Sequence, residues 1–180
     1  MNTDGKWDPG KDFAFVSAHT TGPTQKFMAI WRASKPVIAQ VHGWCVGGAS
    51  DYALCADLVI ASDDAVIGTP YSRMWGAYLS GMWLYRLGFA KAKWHSLTGE
   101  PLTGREAADV ELINEAVPFD RLEARVAEIA MRLASIPVSQ LQAQKLIVNQ
   151  AYENLGLAST TTPGGILHGL IVNTPEGGTL

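Results

Sequence analysis

Lys35-Pro36-Val37-Ile38-Ala39-Gln40-Val41-His42-Gly43-Trp44-Cys45-Val46-Gly47-Gly48-Ala49-Ser50-Asp51-Tyr52-Ala53-Leu54 reads as a strand, a glycine turn and the start of a helix. The run Val37 to Val41 is apolar and β-branched enough to form a buried strand. Gly47 and Gly48 carry no Cβ, so another backbone or a ligand can come close to the turn. Amides at a helix N-terminus point outward, and the helix dipole behind them favours negative charge. An N–H at Gly48 aimed at a carbonyl oxygen would therefore stabilise an oxyanion, and losing one such donor typically costs roughly 3 kcal/mol. The same glycine pair also makes an ordinary tight turn, and the two readings are compatible. Asp51 falls in the first helical turn. The dipole favours an acid there for structural reasons alone, and burial would equip the same carboxyl to carry a proton.

Outward from this stretch, Thr24 to Ala33 is expected as a helix with Phe27, Met28, Ile30 and Trp31 on one face. A strand is expected at Leu58 to Ala61, a turn at Ser62-Asp63-Asp64 and a short strand at Val66-Ile67. Tyr71 to Gly81 lacks a clean period and reads as a loop. Met82 to Leu87, Ala90 to Leu97 and Gly104 to Asn114 read as helices, the last capped by Thr103 with Glu106 three residues on. Val117 opens a brief strand. Asp120 to Leu133 and Val138 to Asn149 are amphipathic helices, and Leu167 to Asn173 reads as a helix before Thr174-Pro175-Glu176-Gly177-Gly178. Strands alternating with helices define an α/β class.

The 180 residues, 47% of them hydrophobic, suffice for one domain with a real core. A net charge of −3 argues against nucleic-acid or anionic-membrane partners. The two cysteines, Cys45 and Cys55, read as apolar packing in a reducing compartment. His19, His42, His95 and His168 share no ligand-like spacing, and no metal is expected. His42, before the turn, is expected to bond the loop backbone. No stretch is long enough to span a bilayer, and no secretory signal is apparent, so the expected location is cytoplasmic. Trp75, Tyr78, Trp83 and Tyr85 form an aromatic cluster that reads as core or as the wall of a ligand pocket.

The chain resembles the crotonase superfamily of enoyl-CoA hydratases and isomerases. That family carries K-P-V-I-A-x-V-x-G-x-x-x-G-G-G-x-E, then x-C-D-x-x-I-A and F-G-x-P-E. Here the first is Lys35 to Asp51, followed by Leu54-Cys55-Ala56-Asp57-Leu58-Val59-Ile60-Ala61 and Val66-Ile67-Gly68-Thr69-Pro70-Tyr71. Leu97-Thr98-Gly99-Glu100-Pro101-Leu102-Thr103-Gly104-Arg105-Glu106-Ala107-Ala108 resembles L-T-G-x-x-x-x-A-x-E-A, and Leu112-Ile113-Asn114-Glu115-Ala116-Val117-Pro118 resembles G-L-V-x-x-V-V-P. The matches keep the family's order from about Phe27 to Pro137.

The resemblance implies a crotonase-like spiral of ββα turns with C-terminal helices, a partial spiral core over 1–118 and a helical region over 119–180. It implies acyl-CoA thioester chemistry through an oxyanion-stabilised enolate, with Gly48, Asp51 and Tyr71 catalytic and Trp44, Cys45, Val46, Gly47 and Trp75 binding substrate. Coenzyme A enters as part of the substrate, with no covalently bound cofactor. The implied assembly is a homotrimer or a dimer of trimers. Two departures bear on the activity. Asp51 and Tyr71 stand where the hydratases carry glutamates, and tyrosine, with a reference pKa of about 10, is a hydrogen-bond donor rather than a base at neutral pH. Tyr71 competes between a pocket hydroxyl and a core aromatic. Nothing in Met1 to Pro23 matches the family's first oxyanion segment, A-F-x-A-G-x-D, Met1 to Lys11 reads as a polar loop, and the last helix stops at Thr174 to Gly178 where the family continues with further helices, so the N-terminal part of the spiral is expected to be missing and the chain to be truncated at both ends, part of a larger gene product. The alternative to an enzyme is a non-catalytic CoA-binding or assembly subunit.

Overall fold

The computed structural model describes residues 7–18, 22–74, 76–77 and 80–174. In chain order the elements are α1 (Pro9–Ser17), α2 (Pro23–Trp31), β1 (Ile38–Val41), β2 (Trp44–Val46), α3 (Gly48–Ala53), β3 (Leu58–Ser62), β4 (Val66–Gly68), α4 (Tyr71–Met74), α5 (Met82–Leu87), α6 (Phe89–Thr98), β5 (Leu102–Thr103), α7 (Gly104–Asp109), β6 (Glu115–Val117), α8 (Phe119–Ala134), α9 (Val138–Asn154) and α10 (Leu157–Val172).

The strands form two sheets of three, ordered β1-β3-β6 and β2-β4-β5. β1 runs parallel to β3 with Ile38 opposite Leu58 and Val41 opposite Ala61, and β2 runs parallel to β4 with Trp44 opposite Val66 and Val46 opposite Gly68. The first two passes of the chain thus each lay one strand in each sheet, turn a corner between them and leave through a helix, whereas β5 joins β4 antiparallel and reaches β6 only through α7. The corners are tied as well, since Val66 N–H donates to Gly43 O at 2.8 Å. This is a spiral of ββα turns. β3 is buried from Val59 to Ser62 because it sits between β1 and β6, which is why its sequence is continuously apolar up to Ser62.

α2 covers the core with Met28 and Trp31, and α5 inserts Trp83, which is fully buried. α8 is seated on β6 by Arg125, whose Nε and Nη2 donate to the Glu115 carboxylate. α9 is fixed by Lys145, whose Nζ lies 2.8 Å from Asp57 Oδ2 with both side chains largely buried. Asp57 Oδ2 also accepts from Val37 N–H at the entrance to β1. α10 has no Asp, Glu, Lys or Arg; it packs on α1, α2 and α9 and buries Leu157, Thr161, Gly165 and Gly169, spaced four apart, with Leu157 in the main core. Small residues along that stripe let the helices approach closely: Gly165 lies beside Val16 and Gly169 beside Asp12.

Several sequence-based expectations are corrected. Part of the stretch read as a polar loop, Pro9 to Lys11, begins α1, where Asp8 caps the helix by accepting from Gly10 and Lys11 N–H. Residues 1–6 lie outside the described residues. Tyr71 starts one turn of helix rather than a loop. The helix expected to reach Asn114 stops at Asp109, because Glu111 takes a φ of +66° and Asn114 already pairs with Val59 through both its N–H and its Oδ1. α10 starts ten residues before the expected Leu167 and contains Pro163.

Candidate active site

The turn after β2 is built by Gly47, at φ +57° and ψ −129°, a conformation that a residue with a Cβ rarely adopts. Its N–H donates to Gly68 O at 2.9 Å, so the end of β2 is locked to the end of β4. Its carbonyl accepts Asp51 N–H at 3.1 Å, which opens α3. Ser50 Oγ fastens the same corner, donating toward Gly47 O and Gly68 O and accepting from Trp83 Nε1 at 3.0 Å. Gly48 supplies the first amide of α3, and that N–H has no acceptor among the described residues. The nearest atom that a Cβ on Gly48 would meet is in the ring of Phe27, at 3.9 Å.

Asp51, one helical turn on, is fully buried. Tyr71 OH donates to its Oδ2 at 2.7 Å, while Ser80 donates to Oδ1 through N–H at 3.1 Å and through Oγ at 2.8 Å. Convergent donors of this kind are what allow a carboxyl to sit away from water. At the other end of α3, the Arg86 guanidinium donates to Leu54 O and Ala56 O. Burial pulls the Arg86 pKa below the usual guanidinium range. The helix is therefore clamped at both ends, and Asp51 cannot swing without breaking α3 or its bonds from Tyr71 and Ser80.

Cys45 and Cys55 are free buried thiols. Burial raises their pKa values to about 11 and about 12. The strand alternation puts Cys45 on the face of β2 opposite Trp44 and Val46. Trp44 is 78% exposed, Val46 is half-buried and Cys45 is buried. A cavity of about 390 Å³ beside β1 is lined by Ile30, Val41, His42, Trp44, Cys45 and Tyr52 among others, but not by Gly48, Asp51 or Tyr71. The structure thus brings Gly47, Gly48, Asp51 and Tyr71 together and sets Trp44 and Cys45 on an adjoining groove. Trp75 and Tyr78 lie outside the described residues. His42 does not bond the loop backbone among the described residues: it is exposed and packs edge-on to Phe119 at 5.7 Å. Trp83 and Tyr85 are core and near-core residues.

The family model for enoyl-CoA hydratase/isomerase matches residues 14–169. The chain belongs to that family. A solved enoyl-CoA hydratase from Mycobacterium smegmatis superposes with a TM-score of 0.89 at 38% identity, covering 98% of this chain and 59% of that one. Among curated relatives, a probable mitochondrial enoyl-CoA hydratase of Dictyostelium discoideum is 32% identical over 122 residues, covering 66% of this chain and 44% of that protein. The hydroxycinnamoyl-CoA hydratase-lyase of Pseudomonas fluorescens is 33% identical over 104 residues, covering 56% and 37%. The chain therefore spans about half the length of the curated relatives it matches or less, and about 60% of the solved hydratase. Its fold is the crotonase-like α/β spiral with C-terminal helices.

At this candidate site, the roles of Ser50 and Ser80 are what sequence reasoning missed, while Trp83, read as core or pocket wall, is a core residue whose bond to Ser50 was not foreseen. Ser80 reaches Asp51 across 29 positions and Trp83 reaches Ser50 across 33, so no local pattern announces them. No helix of the described residues is long and apolar enough to cross a membrane, and no three His, Cys, Asp or Glu among them group as a metal site.

Proposed function

We propose that this chain carries oxyanion-holding and proton-transferring residues of an enzyme acting on coenzyme A thioesters. One observation carries the reading: a fully buried carboxyl, Asp51, is held by Tyr71 and Ser80 one helical turn from the acceptor-free Gly48 amide. In this reading Gly48 N–H holds the thioester oxygen as it gains charge. A polarised thioester carbonyl acidifies the adjacent carbon, and Asp51 moves the proton there or orients a water. Tyr71 fixes the carboxyl by donating to Oδ2, which leaves Asp51 as the site's proton carrier in place of a glutamate pair. The chemistry is of the hydratase/isomerase type, through an enolate. Trp44, Val46 and Gly47, with Cys45 beneath them, form the strand that lines the substrate's approach.

Coenzyme A enters as the carrier of the acyl group. A homotrimer or dimer of trimers is the proposed assembly, supported by Leu146, Ile147 and Val148 on α9, three consecutive exposed apolar side chains that a partner subunit would cover. The cytoplasm is the proposed location.

A steady-state screen of the protein with crotonyl-CoA and bulkier enoyl-CoA esters, paired with calorimetry using a short and a long acyl-CoA, tests the proposal. Turnover of at least one ester supports it. Binding without turnover favours the non-catalytic CoA-binding subunit, a reading to which Tyr71 in place of a second carboxyl lends weight. Neither binding nor turnover overturns both.

A further inference from the structure

α10 does more than close the fold against α1 and α2. Two polar contacts also join it to residues that flank Ser80 in sequence, Ala77 before it and Tyr85 in α5 after it. Tyr85 OH and Thr160 Oγ1 are 2.8 Å apart, and Ala77 N–H donates to His168 Nδ1 at 3.2 Å across 91 positions of sequence. Thr160 and His168 are eight residues apart on one helix, a span of about 12 Å. Between Ala77 and Tyr85 in sequence, Ser80 makes its two hydrogen bonds to Asp51 Oδ1.

The His168 ring also packs edge-on to Tyr71, centroid to centroid 5.9 Å at 79°. Gly76 fills the gap: a Cβ there would stand 2.7 Å from Tyr71 Cδ1 and 2.9 Å from His168 Nδ1. One imidazole therefore touches both the Tyr71 ring, whose hydroxyl reaches the Asp51 carboxyl, and the Ala77 amide, three residues before Ser80. Accepting from a backbone N–H requires an unprotonated Nδ1, which places the ring proton on Nε2.

We propose that His168 is a positioning residue for Asp51, its Nδ1 acceptor holding the Ala77 amide so that Ser80, three residues on, keeps its grip on Oδ1. The role rests on the proposed function of Asp51 and acts through Ser80 and Tyr71, not on substrate. Two substitutions separate the acceptor from the ring. His168→Asn keeps an acceptor at similar reach and loses the ring, whereas His168→Phe keeps the ring edge and loses the acceptor.

The test compares amide hydrogen exchange at Ala77 and Ser80, and kcat and KM for crotonyl-CoA, in these two variants and in Asp51→Asn. The expected result is that His168→Phe speeds exchange at both amides by about tenfold and lowers kcat by about tenfold with KM little changed, while β3 amides are unaffected. His168→Asn restores both. A merely structural role would change protection throughout the fold and would not be rescued by the acceptor alone. Unaltered exchange at Ser80 in His168→Phe overturns the positioning role and leaves the proposed function standing. So does a His168→Asn variant as impaired as His168→Phe. Asp51→Asn with undiminished turnover overturns the proposed function, and the positioning role falls with it.

Discussion

Tyr71, on the single helical turn that follows β4, donates its hydroxyl proton to Asp51 Oδ2 at 2.7 Å, joining two positions that lie 20 residues apart. The two residues that depart from the family's glutamates are thus in direct contact. A tyrosine of this kind fixes the acid where a second carboxylate would have repelled it.

Asp51→Asn should lower turnover by about a hundredfold or more, because an amide cannot take the proton. It should also cost about 1–3 kcal/mol of stability, since an NH₂ group must now face the Tyr71 hydroxyl or the Ser80 donors. Steady-state kinetics and urea unfolding of the same preparation measure both.

Tyr71→Phe removes one donor and keeps the ring against His168. A kcat reduced about tenfold, with a smaller loss than Asp51→Asn, is expected for a group that orients the acid without carrying the proton. A loss equal to that of Asp51→Asn would make Tyr71 a direct participant.

Gly47→Ala meets no close atom, the nearest being Tyr71 Cε1 at 3.9 Å, so any cost is backbone strain at φ +57°. About 1–3 kcal/mol of destabilisation is expected. Turnover should fall further than stability explains, because the same peptide unit aims the Gly48 amide. Chemical denaturation beside kcat for crotonyl-CoA separates the two effects.

Cys45 and Cys55, raised to about 11 and about 12 by burial, should not react with a thiol reagent at pH 8 until the chain unfolds. Unfolded thiols ionise near 8.5. The unfolded state therefore loses these protons first as pH rises, so the thiol contribution to stability is complete below about pH 8.5 and is lost progressively toward pH 11 to 12. Urea midpoints across that range should fall less steeply in a Cys45→Ala, Cys55→Ala variant.

Lys145→Met leaves Asp57 buried without its cation, the side chains being 6% and 17% exposed in the pair. A loss of about 3 kcal/mol is expected, and adding Asp57→Asn should recover part of it. A double-mutant cycle by thermal unfolding gives the coupling.

The long elements were legible because their periods are local. β1, α3 and β3 follow from an apolar run, a glycine pair and a second apolar run, and α8 and α9 from helical spacing. β2 and β5, of three and two residues, exist only through pairing with β4, so no window of sequence shows them. α10 begins well before the expected Leu167, because Leu157 in the main core and Gly165 beside Val16 and Thr24 hold it through contacts distant in sequence. At the site, Gly48, Asp51 and Tyr71 were readable from motif positions. Ser80 and His168 were not, since each acts through a contact set by the way the spiral and α10 fold over one another.

The parallel ladders of β1 with β3 and β2 with β4 run residue for residue, and the chain that departs from Gly68 rejoins the core at α5. A change of length or composition between those two anchor points leaves both ladders undisturbed while reshaping what surrounds the acid. The ladders thus act as a fixed frame, and the surroundings of the acid can be varied without touching it, provided a serine and a tyrosine still meet Asp51.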